Sequence, residues 1–166
     1  MSQPSLAHNV ADMEFRHLSD DQLESYIDIV ARSRADHPFE RRLTLGEARV
    51  WTLTDPDFKP EGSWVAYLDG EAVGYADVVI EESRIAMGMN DGYIDIEVVP
   101  EHRCKDVEQQ LLALCLDYLR SKGIGKARSR SHVTDSWRRG LLEPESFAEE
   151  YRVYSLLRRG RSAVPP

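Results

Sequence analysis

GYIDIEVVPEHRCKDVEQQLLALCLDYLRSK, residues 92–122, changes its apolar period once, at a proline. Before Pro100 the period is two. Ile94, Ile96 and Val98 fall on one side and Tyr93, Asp95 and Glu97 on the other, as in a strand that the proline ends. After a charged loop the period becomes helical, with Val107, Leu111, Leu114, Cys115, Tyr118 and Leu119 on one face and Gly123 placed to stop it. Strand, loop and helix in that order suit ligand binding in open α/β sheets. Ligands settle beyond strand ends where strand order reverses, and a helix N-terminus offers its first N–H groups to phosphate.

Toward the C-terminus, residues 126–133 alternate small and basic side chains and predict a strand; 135–142 predict a short helix, and FAEEYRVYSLL, residues 147–157, a final strand. Toward the N-terminus, SWVAYL and EAVGYADVVIEE, joined by Asp69-Gly70, predict a hairpin with a primed two-residue turn. Ser19 with Gln22, and Thr44 with Glu47, have the form of capping boxes. The first opens a helix over 20–33, marked by Leu23, Tyr26, Ile27 and Val30; the second opens a shorter helix that Pro56 closes. With a strand at the start, the order is β, α, α, β, β, β, α, β, α, β. The long helix returns the chain to a parallel neighbour, which gives a mixed sheet with helices on both faces.

A chain of 166 residues fits one domain that buries roughly two-thirds of its unfolded surface. Its 42% hydrophobic and 30% charged residues exclude a disordered chain, so only the tails, 1–12 and 159–166, are expected to be disordered or extended, around a domain over 13–158. No apolar run approaches the roughly 18 to 20 residues of a membrane span, and the first residues hold neither a basic nor an apolar leader segment; the expectation is a cytoplasmic protein with no membrane partner. Cys104 and Cys115 fit neither a disulfide framework nor a zinc site and are expected to be free thiols. His17, His37, His102 and His132 show no ligand spacing, so no metal site is predicted. A net charge of -8 argues against nucleic acid. That charge is divided: 24 of the 29 acidic residues precede Arg120, while 11 of the 21 basic ones lie from there on. A cationic substrate suits the first part and an anionic cofactor the second, unless both are simply solvated surface.

This order of elements, with VAYLDGEAVGYADV, GYIDIEVVPEHR, the long helix and the terminal SFAEEYRVYSL, resembles the GNAT family of acetyl-CoA-dependent N-acetyltransferases over residues 13–157. The resemblance implies an α/β fold with a mixed, mostly antiparallel six- or seven-stranded sheet flanked by helices on both faces. It implies transfer of an acyl group from acetyl-CoA to a small-molecule or peptide amine. It also implies where that co-substrate lies: the backbone of Val98 and Val99 along the pantetheine arm, and Arg103, Cys104, Lys105, Asp106, Val107 and Glu108 at the pyrophosphate. The family's general base, often a Glu on the fourth strand, maps to Glu97, with Asp95 two residues earlier on the same face; paired carboxylates can raise one member's pKa to a useful value. Tyr93, Asp95 and Glu97 also suit a solvated or ion-paired face.

The chain departs from the family pattern at Asp106, Glu108 and Leu142, and has Ser146 where relatives carry a Gly. Relatives typically carry (Arg or Gln)-x-x-Gly-x-(Gly or Ala) after the fourth strand; Arg103 fits, but Asp106 and Glu108 replace the two small residues. Glycine permits positive φ and close backbone approach, whereas a carboxylate about 4 Å from a phosphate charge is repelled by about 4 kcal/mol at an effective dielectric of 20. Acidic residues at a helix N-terminus also stabilise the helix with no ligand involved. Leu142 stands near the place where many relatives carry a Tyr beside the thiolate leaving group, and Ser146-Phe147 stands for a Gly-Phe pair; Tyr151 and Tyr154 read as packing residues of the last strand. These losses admit a second reading, a GNAT-fold domain that has lost turnover and serves as a binding or assembly module, a homodimer included. Cys104 reads as an incidental thiol, and Trp51, Trp64 and Trp137 as core or rim packing.

Overall fold

A computed structural model describes residues 13–37, 41–103 and 106–154. Strand β1 (Met13–Arg16) leads through a 3-10 turn (Asp20–Gln22) into α1 (Leu23–Ser33), and α2 (Leu45–Trp51) follows. Both helix starts are capped as their residues predict. The Ser19 N–H donates to the Gln22 side chain at 3.1 Å; the Thr44 N–H donates to the Glu47 carboxylate at 2.9 Å, and the Glu47 N–H donates back to Thr44 Oγ1 at 3.2 Å. Next come β2 (Ser63–Leu68), β3 (Glu71–Val79), α3 (Glu82–Ala86), β4 (Asp91–Val98), α4 (Val107–Ser121), β5 (Lys126–Ser129) and α5 (Ser136–Leu142). Between β2 and β3, Asp69 and Gly70 both take positive φ, 51° and 84°, which is the primed turn that matches strand twist.

The sheet runs β1-β2-β3-β4-β5, with the first four strands antiparallel and β5 parallel to β4. Helix α1 covers one face of β3 and β4, and α4 covers the other. On the α4 side, Ile94, Ile96 and Val98 are buried in one core with Val107, Leu111, Cys115 and Leu119. Burying each such large aliphatic chain contributes about 1.5–3 kcal/mol. Glycine lets the helix approach closely: a Cβ on Gly92 would stand 2.5 Å from Leu119 Cδ2.

Four expectations change. The sheet has five strands, not six or seven, because residues 147–154 form no ladder and 155–157 lie outside the described residues. The alternation in FAEEYRVY is present, but β5 is only four residues long and Val153 is 80% exposed. This segment meets β5 through side chains instead, Glu150 accepting from Lys126 at 3.0 Å. Tyr151 and Tyr154 are exposed and are therefore not packing residues. Strand β5 itself stops at Ser129 rather than running to 133, since the chain turns there, His132 N–H donating to Asp135 at 3.3 Å ahead of α5. The predicted strand over 71–82 ends at Val79, and a short helix, α3, takes its last residue. The two tails, 1–12 and 159–166, lie outside the described residues.

Candidate functional site

Strands β4 and β5 pair only from Asp91 opposite Lys126 to Ile94 opposite Ser129. Beyond that point β4 continues to Val98, paired with β3 on one side and with no strand on its β5 side among the described residues. Because the Val99 N–H donates to Val73 O on β3 at 3.0 Å, the alternation of a strand turns the carbonyls of Ile96 and Val98 the other way, toward this gap. Two arginines meet them there. Arg138, from α5, donates to Ile96 O at 2.5 Å and to Arg130 O, just past the end of β5, at 2.9 Å. Arg103 donates to Val98 O at 3.0 Å and to Ser33 O at 2.8 Å, and lies over the Trp137 ring at 4.6 Å. Burial lowers the pKa of its guanidinium.

The carboxylates of β4 occupy the α1 side of the same gap. Glu97 is 1% exposed and accepts from Ser33 Oγ at 2.6 Å, from Arg34 Nε at 2.7 Å and from Arg138 at 2.9 Å. A carboxylate at that depth is tolerable only with such a shell, since its desolvation costs several kcal/mol. Asp95, 40% exposed, pairs with the same two arginines, each at 2.9 Å. Opposite it on β3 lies Asp77, whose carboxyl is pushed up to about 7 by burial and by the nearby Asp95 charge. Tyr75, on the same strand, has its phenol raised by burial as well, and its ring meets Tyr26 of α1 edge-on at 4.6 Å. Between the end of α1 and the turn before α5, His37 bonds Asp135 at 2.7 Å and its ring stacks on His132 with centroids 4.5 Å apart.

At the loop, the described backbone resumes at Asp106 with φ 66° and ψ −3°, the left-handed conformation, and α4 starts at the next residue. Glycine is the residue that enters this region freely, and glycine is what the pattern read from Arg103 expects at 106. The same holds at Ser146, in the Gly-Phe place, with φ 66°. The backbone keeps the glycine shape at both positions although the residue has changed. The first N–H groups of α4 face its N-terminal side, where a helix end favours an anion. Glu108 is buried there, and Leu142 is buried on α5.

Of the residues singled out from sequence, Asp95, Glu97, Val98 and Arg103 come together at the gap, Val99 joins the ladder to β3, and Asp106, Val107 and Glu108 form the head of α4. Cys104 and Lys105 lie outside the described residues. Sequence reasoning missed Ser33, Arg34, Asp77 and Arg138. A carboxylate inside the apolar run YADVV was a usable signal for Asp77; Arg34 and Arg138 carry no periodic signal at all.

The profile of the acetyltransferase (GNAT) family matches residues 23–140, so this chain belongs to that family. Its fold is that of solved acetyltransferases. The aminoglycoside N-acetyltransferase AAC(6')-Iy in complex with CoA superposes with a TM-score of 0.64 at 19% identity, covering 93% of this chain and 100% of that one. An N-acetyltransferase from Staphylococcus aureus Mu50 gives 0.72 at 16% identity, with 84% and 86% covered. An aminoglycoside acetyltransferase from an uncultured soil metagenomic sample, in complex with sisomicin, gives 0.66 at 14% identity, with 90% and 97% covered. No curated protein sequence matches the chain. Acetyl-CoA as co-substrate fits the family.

Proposed function

We propose that this protein transfers an acetyl group from acetyl-CoA to an amine, with a polycationic small molecule as the first acceptor class to examine and a peptide amine as the second. One observation carries the reading: β4 outruns β5, so the carbonyls of Ile96 and Val98 meet arginine side chains instead of a strand and form an acceptor edge that leads toward the left-handed bend at Asp106 and the head of α4. An extended chain of amides ending in a diphosphate is the ligand shape such an edge and helix end receive. Acetyl-CoA has that shape and supplies an acyl group activated as a thioester. Val98 and Ile96 would hold its amide arm through backbone, and the N–H groups at 107 and 108 its phosphates.

On the α1 side, Asp95, 40% exposed, is the carboxylate that a cationic amine can reach, with Asp77 and Glu97 on the same sheet face. Asp95 or Glu97 takes the amine proton as the new carbon–nitrogen bond forms and the carbon–sulfur bond breaks; the departing thiolate takes its proton from solvent. Solved relatives named for aminoglycoside acetylation motivate the choice of acceptor. They lend no support to a non-catalytic module. Cytoplasmic residence is the setting proposed with it, and a homodimer is the assembly to look for by sedimentation.

The test is thiol release from acetyl-CoA with a panel of polyamines, aminoglycosides and short peptides. Release above the acceptor-free rate is expected with at least one class. Calorimetry showing neither heat nor thermal stabilisation at millimolar acetyl-CoA would sink the reading.

A further inference from the structure

We infer that Arg138 is a latch on this groove, a positioning residue that must leave Ile96 O before an amide ligand can pair with β4; the inference rests on the function proposed above. Three observations carry it. The Arg138 guanidinium joins the two sides of the gap, donating to Ile96 O on β4 and to Arg130 O beyond β5. It thus supplies donors at the acceptor edge, where the N–H groups of an arriving amide chain would donate. Second, Arg138 is 5% exposed yet its Nε is buried without a hydrogen-bond partner among the described residues, and the Nε1 of its neighbour Trp137 is in the same condition. Its other two nitrogens hold Asp95, Glu97, Arg130 O and Ile96 O, so Nε is the one donor that a move of the side chain could newly satisfy. Third, the same side chain pairs with Asp95 and Glu97, so its departure removes one of the two arginines that neutralise Glu97 and leaves that carboxylate freer to accept a proton. One movement uncovers Ile96 O and frees the base, while Arg103 stays on Val98 O.

A latch makes the binding-competent state a fraction of the population, and apparent affinity falls by that fraction. The experiment is rapid mixing of the full chain with CoA, read by tryptophan fluorescence, because Trp137 lies 5.2 Å from the Arg138 guanidinium and reports its displacement. In the wild type the observed rate should level off as CoA is raised, at the rate of latch opening. Arg138→Met leaves Glu97 short of a partner and risks misfolding, so the paired change Glu97→Gln with Arg138→Gln, which leaves net charge unaltered, accompanies it. Arg138→Lys keeps the charge but cannot span both carbonyls.

A folded double variant should associate at least about tenfold faster, with no plateau, and bind CoA correspondingly tighter; Arg138→Lys should fall between. A purely structural arginine predicts lower stability with CoA association unchanged or weaker, and that result in a folded variant overturns the latch while leaving the proposed function standing. If neither the wild type nor any folded variant binds CoA, the latch and the function fall together.

Discussion

Asp77 and Asp95 stand directly opposite each other on β3 and β4, on the sheet face that α1 covers. Neighbouring carboxylates on paired strands repel when both are charged, and burial adds to the cost. The proton therefore stays on Asp77 up to about pH 7, against 3.8 for the ordinary side chain. Between those values the folded chain holds a proton that the unfolded chain has released, so this group's contribution to stability falls as pH rises from about 4 to about 7. Asp77→Asn removes that loss. Relative to wild type, the variant should gain about 2 kcal/mol on going from pH 5 to pH 8, measured by urea denaturation at both values. An equal difference at the two pH values would show that Asp77 ionises normally.

Glu97 and Asp95 share two arginines but differ in depth, and depth decides the cost of losing each. Glu97→Gln leaves the buried Arg138 guanidinium short of a counter-charge, for which about 3–5 kcal/mol is expected. Asp95→Asn, at a side chain open to water, should cost under about 1 kcal/mol. Melting temperatures of the two variants side by side check the contrast, and similar shifts would mean that Glu97 is better hydrated than its 1% exposure implies.

Gly74 separates β3 from the head of α4, since a Cβ there would lie 3.0 Å from Leu111 Cδ1 and 3.1 Å from Val107 Cγ1. Gly74→Ala should cost about 1–3 kcal/mol and speed hydrogen exchange in the first turn of α4. Gly46, in the first turn of α2 with nothing within 4 Å of its would-be Cβ, is the control. Gly46→Ala should stabilise by about 0.5–1 kcal/mol.

What could be read from the sequence was what is local. The period change at Pro100, the capping boxes and the Asp69-Gly70 turn each express a choice made within a few residues, and β4, α4, α1, α2 and the hairpin all follow them. FAEEYRVY has the same kind of local period, but a strand exists only if a partner runs beside it, and the four residues of β5 offer none to it. The site is less local still. Arg34 and Arg138 reach β4 from 61 and 43 residues away, and the identity of an arginine says nothing about which carbonyl it will find. The left-handed turns at Asp106 and Ser146 were legible only through the family pattern, because neither residue type announces positive φ.

At Asp106 the two consequences of one substitution can be separated. The residue keeps a left-handed backbone with φ 66° at the N-cap of α4, and its side chain makes no capping bond in return. Asp106→Gly relieves the conformation and removes the charge, so stability should rise by about 0.5–1 kcal/mol and CoA affinity at least about tenfold. Asp106→Asn removes the charge alone, since asparagine tolerates the left-handed region about as aspartate does. If repulsion of the diphosphate is what the carboxylate contributes, the asparagine variant should recover most of the affinity gain with little of the stability gain, as read by calorimetric titration with CoA and by thermal melting. If instead the loop must flex to receive phosphate, only the glycine variant will bind more tightly, and the charge at 106 will have been incidental.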